Sequence, residues 1–196
     1  REDMYGLDAA IIMNQMAWEA SGHVATFTDP LAECNKCKRR FRADNIEGDK
    51  CPECNGSLGE ARQFNMMFKT NVGPIEDSSS VSYLRPETAQ GIFVNFKNIV
   101  DSFHPNIPFG IGQIGKAFRN EITPRDFIFR TREFEQMEIE YFVRANNWEA
   151  SFELWRALVL DFIERVGIDK TKVSELDVPK ESLAHYSKRT IDFEFE

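Results

Sequence analysis

The chain has 196 residues, of which 42% are hydrophobic and 29% charged, with a formal net charge of −8. The composition is that of an ordinary globular protein, and no apolar run approaches the roughly 18 residues that a membrane span needs. The acidic balance argues against binding of polyanions over the whole surface. Local basic patches at 36–42 and 125–133 could still bind an anionic partner, although a solvated charged face is the simpler interpretation of each.

The two ends of the chain indicate a piece of a longer protein. The first residue is Arg1, and the segment after it has neither the continuous apolar stretch nor the cleavage site of a signal peptide. The final residues, "TIDFEFE", alternate apolar and acidic side chains as a strand does. We therefore expect a fragment with no secretion signal.

Short elements are predicted before and after the cysteines. "AAIIM" predicts a buried strand, "QMAWEA" a short helix that ends at Ser21 and Gly22, and "HVATFTDP" a strand that stops at Pro30. Further on, "RQFNMMFKTNVG" carries apolar residues and ends in a turn, and "EDSSSVSY" predicts a surface loop.

The cysteines form two Cys-x2-Cys pairs separated by thirteen residues: Cys34, Cys37, Cys51 and Cys54. This spacing suits a tetrahedral zinc site on two tight turns, for which Gly48 and Gly56 would supply flexible backbone. Disulfides of a secreted protein are the alternative, but nothing else indicates secretion. Four thiolates leave no open coordination position, so we predict a structural zinc ribbon over 34–58, inserted into a core of 1–33 and 59–196.

Two helices and a long hairpin are predicted in the second half. The apolar stripe of "RPETAQGIFVNFKNIVDSF" predicts an amphipathic helix that begins near Thr88. "IGQIGKAFRNEI", a polar turn and "FIFRTREFEQMEIEYFV" predict two antiparallel strands, with Glu138 on one face of the second strand and Glu135 and Met137 on the other. "NWEASFELWRALVLDFIERVG" predicts a helix that is capped by Gly167.

A glycine run at Gly110, Gly112 and Gly115 nearly matches two nucleotide-binding loops. A dinucleotide loop requires a helix after the glycines, whereas the residues that follow predict a strand. A phosphate-binding loop requires Ser or Thr after Lys116, where Ala117 stands. We therefore expect a strand that packs close to a neighbour or contains a bulge.

The hairpin carries a more specific pattern. "FRNE" on the first strand and "RTREFEQME" on the return strand resemble motif 2 of the class II aminoacyl-tRNA synthetases, which has an aromatic-Arg-x-acid strand followed by Arg-x-x-x-Phe-x-x-x-acid. "WEASGHVATFTDPLAEC", "YLRPETAQGIFVNFKN", "IPFGIGQIGK" and "LAHYSKRTIDFEF" are similar to segments of homodimeric glycyl-tRNA synthetases. The resemblance covers nearly the whole chain.

This resemblance implies an α+β fold, in which an antiparallel sheet is flanked by helices and carries an inserted zinc ribbon. It implies a glycine–tRNA ligase that uses ATP with Mg²⁺ to activate glycine and then transfers the glycyl group to the 3′ end of tRNA(Gly). The whole protein would be a cytoplasmic homodimer without a membrane segment. Motif 3 and the anticodon-binding domain of the family are absent from the chain, which corresponds to the front part of the catalytic domain.

The resemblance also implies an ATP site. Arg119 is the implied catalytic residue, because a fixed guanidinium stabilises the charge that accumulates on the α-phosphate. Glu121 would approach the adenine amino group, Phe134 would stack on the ring and Arg130 would contact the γ-phosphate. The alternative for Arg119 is a strand arginine paired with Glu121 or Glu138. The implied ATP-binding residues are Arg119, Asn120, Glu121, Phe129, Arg130, Thr131, Arg132, Glu133 and Phe134.

The implied glycine site is acidic, because glycine offers only an ammonium and a carboxylate to recognise. Glu87 corresponds to the amino-group reader of the family, although a carboxylate that stabilises a helix N-terminus is its alternative. Arg42 corresponds to a substrate contact, or else to a surface charge of the zinc module. The implied glycine-binding residues are Arg42, Glu87, Phe134, Glu135, Gln136, Met137 and Glu138.

Two other functional classes account for parts of the sequence. A synthetase-like paralogue would keep the fold and the nucleotide site but act as a binding or regulatory protein, and it stays open while motif 3 is unseen. A bare zinc-ribbon interaction module does not account for the hairpin. His23, His104 and His185 match no catalytic motif, and the sequence assigns none of them a catalytic role.

Overall fold

The chain divides into two compact units, Arg1–Phe142 and Val143–Glu196, and the computed structural model describes residues 2–195. The strands of the first unit are β1 (Met4–Gly6), β2 (Ile12–Asn14), β3 (Thr28–Glu33), β4 (Arg40–Arg42), β5 (Arg62–Asn65), β6 (Lys69–Asn71), β7 (Val81–Leu84), β8 (Phe109–Phe118) and β9 (Glu133–Phe142). Its helices are α1 (Gln15–Ala20), α2 (His23–Thr26) and α3 (Ala89–Phe103). The second unit contains α4 (Trp148–Arg165), β10 (Val173–Asp177) and β11 (Ile191–Phe195).

The predicted long hairpin is present as β8 and β9. The two strands pair antiparallel in unbroken register, from Phe109 opposite Phe142 to Phe118 opposite Glu133. β1 adds to the other edge of β8 in parallel orientation, which the sequence does not indicate. The other sheets of the first unit, with strand orders β2-β7-β6 and β4-β3-β5, are antiparallel.

The glycine run lies inside β8, so it is not a nucleotide-binding turn. A Cβ at Gly110 would lie 2.3 Å from Met4 Sδ, and one at Gly115 would lie 2.5 Å from Arg85 Nη2. Glycine is required because β1 and a buried arginine pack directly on the strand. Close packing is therefore the explanation that holds, because the unbroken register leaves no place for a bulge.

Helix α3 covers one face of the hairpin. It begins after Thr88, as predicted, but Phe93 and Phe103 from the predicted apolar stripe stay more than half exposed. The core between helix and hairpin consists of Ile92, Ile99, Phe109 and Ile111, surrounded by Tyr5, Leu7, Phe96, Val100 and Phe142. Burying each of these isoleucine side chains contributes about 1.5–3 kcal/mol, which fixes α3 on the sheet.

The prediction for "HVATFTDP" was wrong. The segment forms α2 and then β3, which runs through Pro30. Gly22 adopts a left-handed conformation with φ +83° that turns the chain into α2. Pro30 is tolerated because β4 pairs only with Leu31–Glu33, so the missing N–H lies outside that pairing.

The second unit packs α4 with the β10–β11 hairpin. Arg156 of α4 donates from Nη2 to Glu175 of β10 at 3.0 Å, and Arg189 pairs with Glu153 of the helix at 2.6 Å. The predicted helix is confirmed, and Gly167, with φ +89°, lies one residue beyond its C-cap. Across residues 2–195, none of the helices combines the length and apolarity that crossing a bilayer demands.

Candidate active site and cysteine cluster

Arg119 is held in place at the end of β8 by contacts on three sides. Its Nε donates to the carbonyl of Pro86 at 3.1 Å. Its guanidinium carbon lies 5.2 Å from the centre of the Phe134 ring and 5.5 Å from that of Phe27, which is cation–π geometry. Within residues 2–195, no carboxylate pairs with it, so Arg119 is not the strand arginine paired with Glu121 or Glu138.

A cavity of about 370 Å³ opens beside Arg119, within the size range of small-molecule sites. Six of the predicted ATP-binding residues line it: Arg119, Glu121, Phe129, Arg130, Thr131 and Phe134. Glu121 is almost buried, and its Oε2 accepts no hydrogen bond from the described residues. The nearest guanidinium nitrogen, Arg130 Nη1, is 3.6 Å away, which is too far for a hydrogen bond. The cavity therefore combines positive charge with a free, buried acceptor.

Three predicted ATP-binding residues do not line this cavity. Asn120 faces a separate groove with Phe64 and Tyr83. Glu133 forms an ion pair with Lys116 at 3.1 Å on the exposed surface. Arg132 donates from Nε to the backbone carbonyl of Glu121 at 3.1 Å, so it supports the hairpin.

A cluster of three glutamates adjoins Arg119. Glu138 accepts hydrogen bonds from the backbone N–H of Thr88, at 2.8 Å, and from its hydroxyl. Glu87 lies next to Thr88, and its Oε1 is 3.4 Å from His23 Nε2. The contact with His23, followed by those with Gln90 and Arg119, lowers the pKa of Glu87.

The third glutamate, Glu140, feels the charge of the other two. Burial raises its pKa, and the carboxylates of Glu138 and Glu87 raise it further. The two neighbouring carboxylates, Glu87 and Glu138, are therefore held by donors, while Glu140 is disfavoured as an anion. This cluster concentrates negative charge where a cationic group would be stabilised.

The predicted glycine-binding residues of β9 lie on both faces of the strand. Strand alternation puts Phe134, Gln136 and Glu138 on the more buried face of β9, and Glu135 and Met137 on the exposed face. Glu135 nevertheless lines the same cavity as Phe134. The role of all five residues in binding glycine stays a prediction.

Arg42 is fixed by two carboxylates. It lies 2.8 Å from Asp29 and 2.7 Å from Asp44, and the hydrogen bonds that it donates to Asp44 raise the pKa of Arg42. Its side chain lines a smaller cavity of about 170 Å³ together with Arg125 and Arg130. Arg42 is thus close to the loop between β8 and β9, and it is not part of the glutamate cluster.

Sequence reasoning missed the partners that hold the predicted residues. His23, Phe27 and Thr88 contact Glu87, Arg119 and Glu138, respectively. No local pattern marks these contacts, because each joins segments that are distant in the chain. The only available signal was that His23 lies within "WEASGHVATFTDPLAEC", one of the stretches that carries the family resemblance.

The four cysteines meet as expected from their spacing. All four are free thiols, and their Sγ atoms lie within 4.8 Å of one another. Cys34 and Cys54 are 3.5 Å apart, and Cys37 and Cys51 are 3.7 Å apart. Disulfide bonds are about 2.05 Å long, whereas sulfurs around a tetrahedral zinc with bonds of about 2.3 Å are about 3.8 Å apart. The cluster therefore fits a metal ion.

Two matching turns build this cluster. The N–H of Lys38 bonds to the carbonyl of Cys34 at 3.0 Å, and that of Asn55 bonds to Cys51 at 2.9 Å. Lys38 and Asn55 both have positive φ, so these residues supply the left-handed backbone. The N–H of Cys37 points at Cys34 Sγ and lowers the pKa of that thiol, whereas burial and the neighbouring thiols raise the pKa of Cys37.

Gly56 has a different role from the one predicted. Glycine fits there because a larger residue has no room. An added Cβ would lie 2.8 Å from Lys36 Cβ and 3.2 Å from Cys34 Sγ. Gly48 does adopt a positive φ of +84°. The prediction of backbone freedom therefore fits Gly48 and is corrected for Gly56.

The fold and the motif 2 hairpin define the class of protein. A model of the class II tRNA synthetase core domain (G, H, P, S and T) matches residues 68–195, and the chain belongs to this family. A solved structure titled as the RNA binding domain of threonyl-tRNA synthetase from Cryptosporidium parvum Iowa II shares the fold, with a TM-score of 0.53 and 18% identity over 93% of this chain and 35% of that one. The predicted class II α+β fold is thereby confirmed.

The sequence relatives are more specific. The chain is 54% identical to a glycine–tRNA ligase of Treponema denticola, over 100% of this chain and 44% of the relative. It is 50% identical to a glycine–tRNA ligase of Borrelia hermsii, over 99% of this chain and 44% of the relative. It is 48% identical to one of Thermobifida fusca, over 100% of this chain and 46% of the relative. The resemblance to glycyl-tRNA synthetases is confirmed, and the chain spans somewhat less than half the length of these relatives.

Proposed function

We propose that this chain is part of a glycine–tRNA ligase that activates glycine with ATP and Mg²⁺ and charges tRNA(Gly). The observation that carries the proposal is the position of Arg119 between a nucleotide-sized cavity and the glutamate cluster. Identity of about one half to glycine–tRNA ligases along the chain supports the same substrates.

The first reaction joins glycine to the nucleotide. A carboxylate oxygen of glycine attacks the α-phosphorus of ATP, and pyrophosphate leaves. Arg119 stabilises the negative charge that accumulates on the α-phosphate oxygens, since it is already fixed by Pro86 and the two aromatic rings. Glu121 accepts a hydrogen bond from the adenine amino group at Oε2, which receives no hydrogen bond from the described residues. Phe134 stacks on the base. Arg130 contacts the γ-phosphate.

Glycine is held by its ammonium group. Glu87 and Glu138 supply the charge, and the buried Oε1 of Gln136, which has no donor among the described residues, supplies a further acceptor. In the second reaction, a ribose hydroxyl at the 3′ end of the tRNA attacks the glycyl carbonyl, and AMP leaves. The active protein is a cytoplasmic homodimer, and motif 3 and the anticodon-binding domain are supplied by the rest of the protein.

The experiment for the glycine site is pyrophosphate exchange by the full-length protein with Glu138→Ala. We expect the KM for glycine to rise sharply while the KM for ATP changes little, because the carboxylate is proposed to bind the ammonium group and does not line the cavity proposed for ATP. Glu47→Ala, an exposed carboxylate away from this cluster, is the matched control and should leave both values unchanged. An unchanged glycine KM in Glu138→Ala would remove the amino-group role of Glu138.

We also propose that the four cysteines hold one structural zinc ion and that 34–58 is the inserted module. The sulfur separations support a metal site, and four ligands leave no open position for catalysis. Elemental analysis should find about one zinc per chain, and Cys51→Ser should release it. Full zinc retention without the four thiols would refute the assignment.

A further inference from the structure

The side chain of His23 is fixed before any substrate binds. Its Nδ1 lies 2.8 Å from Ser21 Oγ, and its ring centre lies 5.4 Å from those of Trp18 and Phe27. Asn65 donates from its side chain to the backbone carbonyl of His23 at 3.2 Å. The side chain is only 13% exposed, so the imidazole has little freedom to turn.

The remaining ring nitrogen points at the glutamate cluster. Nε2 of His23 is 3.4 Å from Glu87 Oε1. An ionised carboxylate can only accept, so Nε2 carries a proton and acts as the donor toward Glu87. The contact joins α2 to the segment before α3.

Glu87 needs such a partner because of the charges around it. Glu140 on β9 repels its charge, while Gln90 and Arg119 favour it. Glu138 has its own donors in Thr88, and those donors cannot serve Glu87 as well. Each of the two carboxylates is thus held by a separate partner.

We propose that His23 is a positioning residue that orients Glu87 to receive the ammonium group of the amino acid. The inference rests on the proposed function, in which Glu87 reads that ammonium group. It gives His23 a role in substrate selection that its sequence context does not indicate. His23 acts through Glu87 and does not itself touch the substrate.

The test uses pyrophosphate exchange by the full-length protein with two variants. His23→Leu removes the donor while keeping an apolar side chain between Trp18 and Phe27, and His23→Gln keeps an N–H donor. We expect His23→Leu to raise the KM for glycine about tenfold or more, with the KM for ATP unchanged, because a hydrogen bond to a charged group is lost. His23→Gln should restore most of the glycine affinity.

Controls separate positioning from a general loss of structure. His185→Leu, an exposed histidine in the second unit, should leave every parameter unchanged. A wild-type glycine KM in His23→Leu would overturn the proposal, as would an equal rise in both KM values. A defect in His23→Gln as large as that in His23→Leu would also overturn it, since the donor would then be irrelevant.

A second measurement distinguishes this failure from failure of the proposed function. A double-mutant cycle of His23→Leu and Glu87→Gln in thermal unfolding measures the coupling of the pair without substrate. Coupling together with a glycine KM defect supports the proposal, and additivity contradicts it. Absence of glycine-dependent exchange in the wild type would instead contradict the proposed function, and with it the substrate role of the pair.

Discussion

At the scale of single residues, the site consists of charges that are fixed by neutral or oppositely charged partners. Arg119 is held by a carbonyl and two rings, and Glu138 by the N–H and hydroxyl of Thr88. Groups fixed in this way need little rearrangement when charge develops in the transition state. Electrostatic stabilisation by such preorganised groups is the largest source of rate enhancement in many enzymes.

Arg119→Ala tests the role of the fixed guanidinium. Loss of one well-placed contact to transition-state charge typically lowers the rate about 100-fold or more. We therefore expect adenylate formation by the full-length protein to fall by at least this factor in single-turnover measurements, with a much smaller change in the KM for glycine. A near wild-type rate would show that Arg119 only supports the aromatic residues around it.

Glu140→Gln tests the electrostatic cost of the glutamate cluster. Burial and two neighbouring carboxylates raise the pKa of Glu140, so the ionised side chain destabilises the fold at neutral pH. A raised carboxyl pKa contributes stability that is present at low pH and is lost as pH rises through the folded value. The variant should therefore melt at a higher temperature than the wild type at pH 7, and the difference should shrink toward pH 4.5.

The same comparison with Glu47→Gln, an exposed carboxylate, should show no such pH-dependent gain. A Glu140→Gln protein that is less stable than the wild type at pH 7 would mean that the ionised form is favoured in the fold, contrary to its surroundings.

At the scale of elements, sequence prediction worked where a pattern extended over ten or more residues. The β8–β9 hairpin, α3 and α4 are of this kind, because each is long enough for its periodicity to be recognised. Helix α2 has four residues and depends on the left-handed backbone of Gly22, so "HVATFTDP" gave no helical period to detect. The cysteine spacing predicted the meeting of the thiols, since the ligands lie close in sequence.

The site was predictable only in part, for the same physical reason. Arg119 and Glu121 directly follow β8 and Phe134 lies on β9, so the hairpin brings them together. The contact of His23 with Glu87 depends on how α2 packs, which no local pattern encodes. Alternation places Glu135 and Met137 on the face of β9 opposite to Glu138, as the sequence pattern predicts.

Gly56→Ala tests the packing of the cysteine cluster. A methyl group there would press on the sulfurs of Cys34 and Cys54, which are 3.2 and 3.3 Å from the added Cβ. Disturbing groups that orient metal ligands typically lowers affinity about 10- to 100-fold, so zinc should pass to a chelator at a lower chelator concentration. Gly6→Ala, where an added Cβ meets nothing within 4 Å, is the control. Equal zinc retention in both variants would contradict the packing argument.

At the scale of the whole molecule, the chain joins a class II synthetase core to a cysteine cluster, and it resembles glycine–tRNA ligases along its length. Selection of glycine is the demanding part of the proposed function. A methyl group in an open pocket changes binding by only about 1–3 kcal/mol, so alanine must be rejected by a wall that leaves it no room. Glu87 and Glu138 would form that wall around the α-carbon while they hold the ammonium.

The most direct test is ATP–pyrophosphate exchange by the full-length protein with Mg²⁺ and glycine, alanine or no amino acid. The proposed function predicts exchange that depends on glycine, with exchange on alanine at least about 100-fold slower, because the added methyl group meets the carboxylate wall. Exchange that is equal with alanine would contradict the assigned specificity. Absence of exchange with glycine would contradict the ligase itself and leave a synthetase-like protein without the activity.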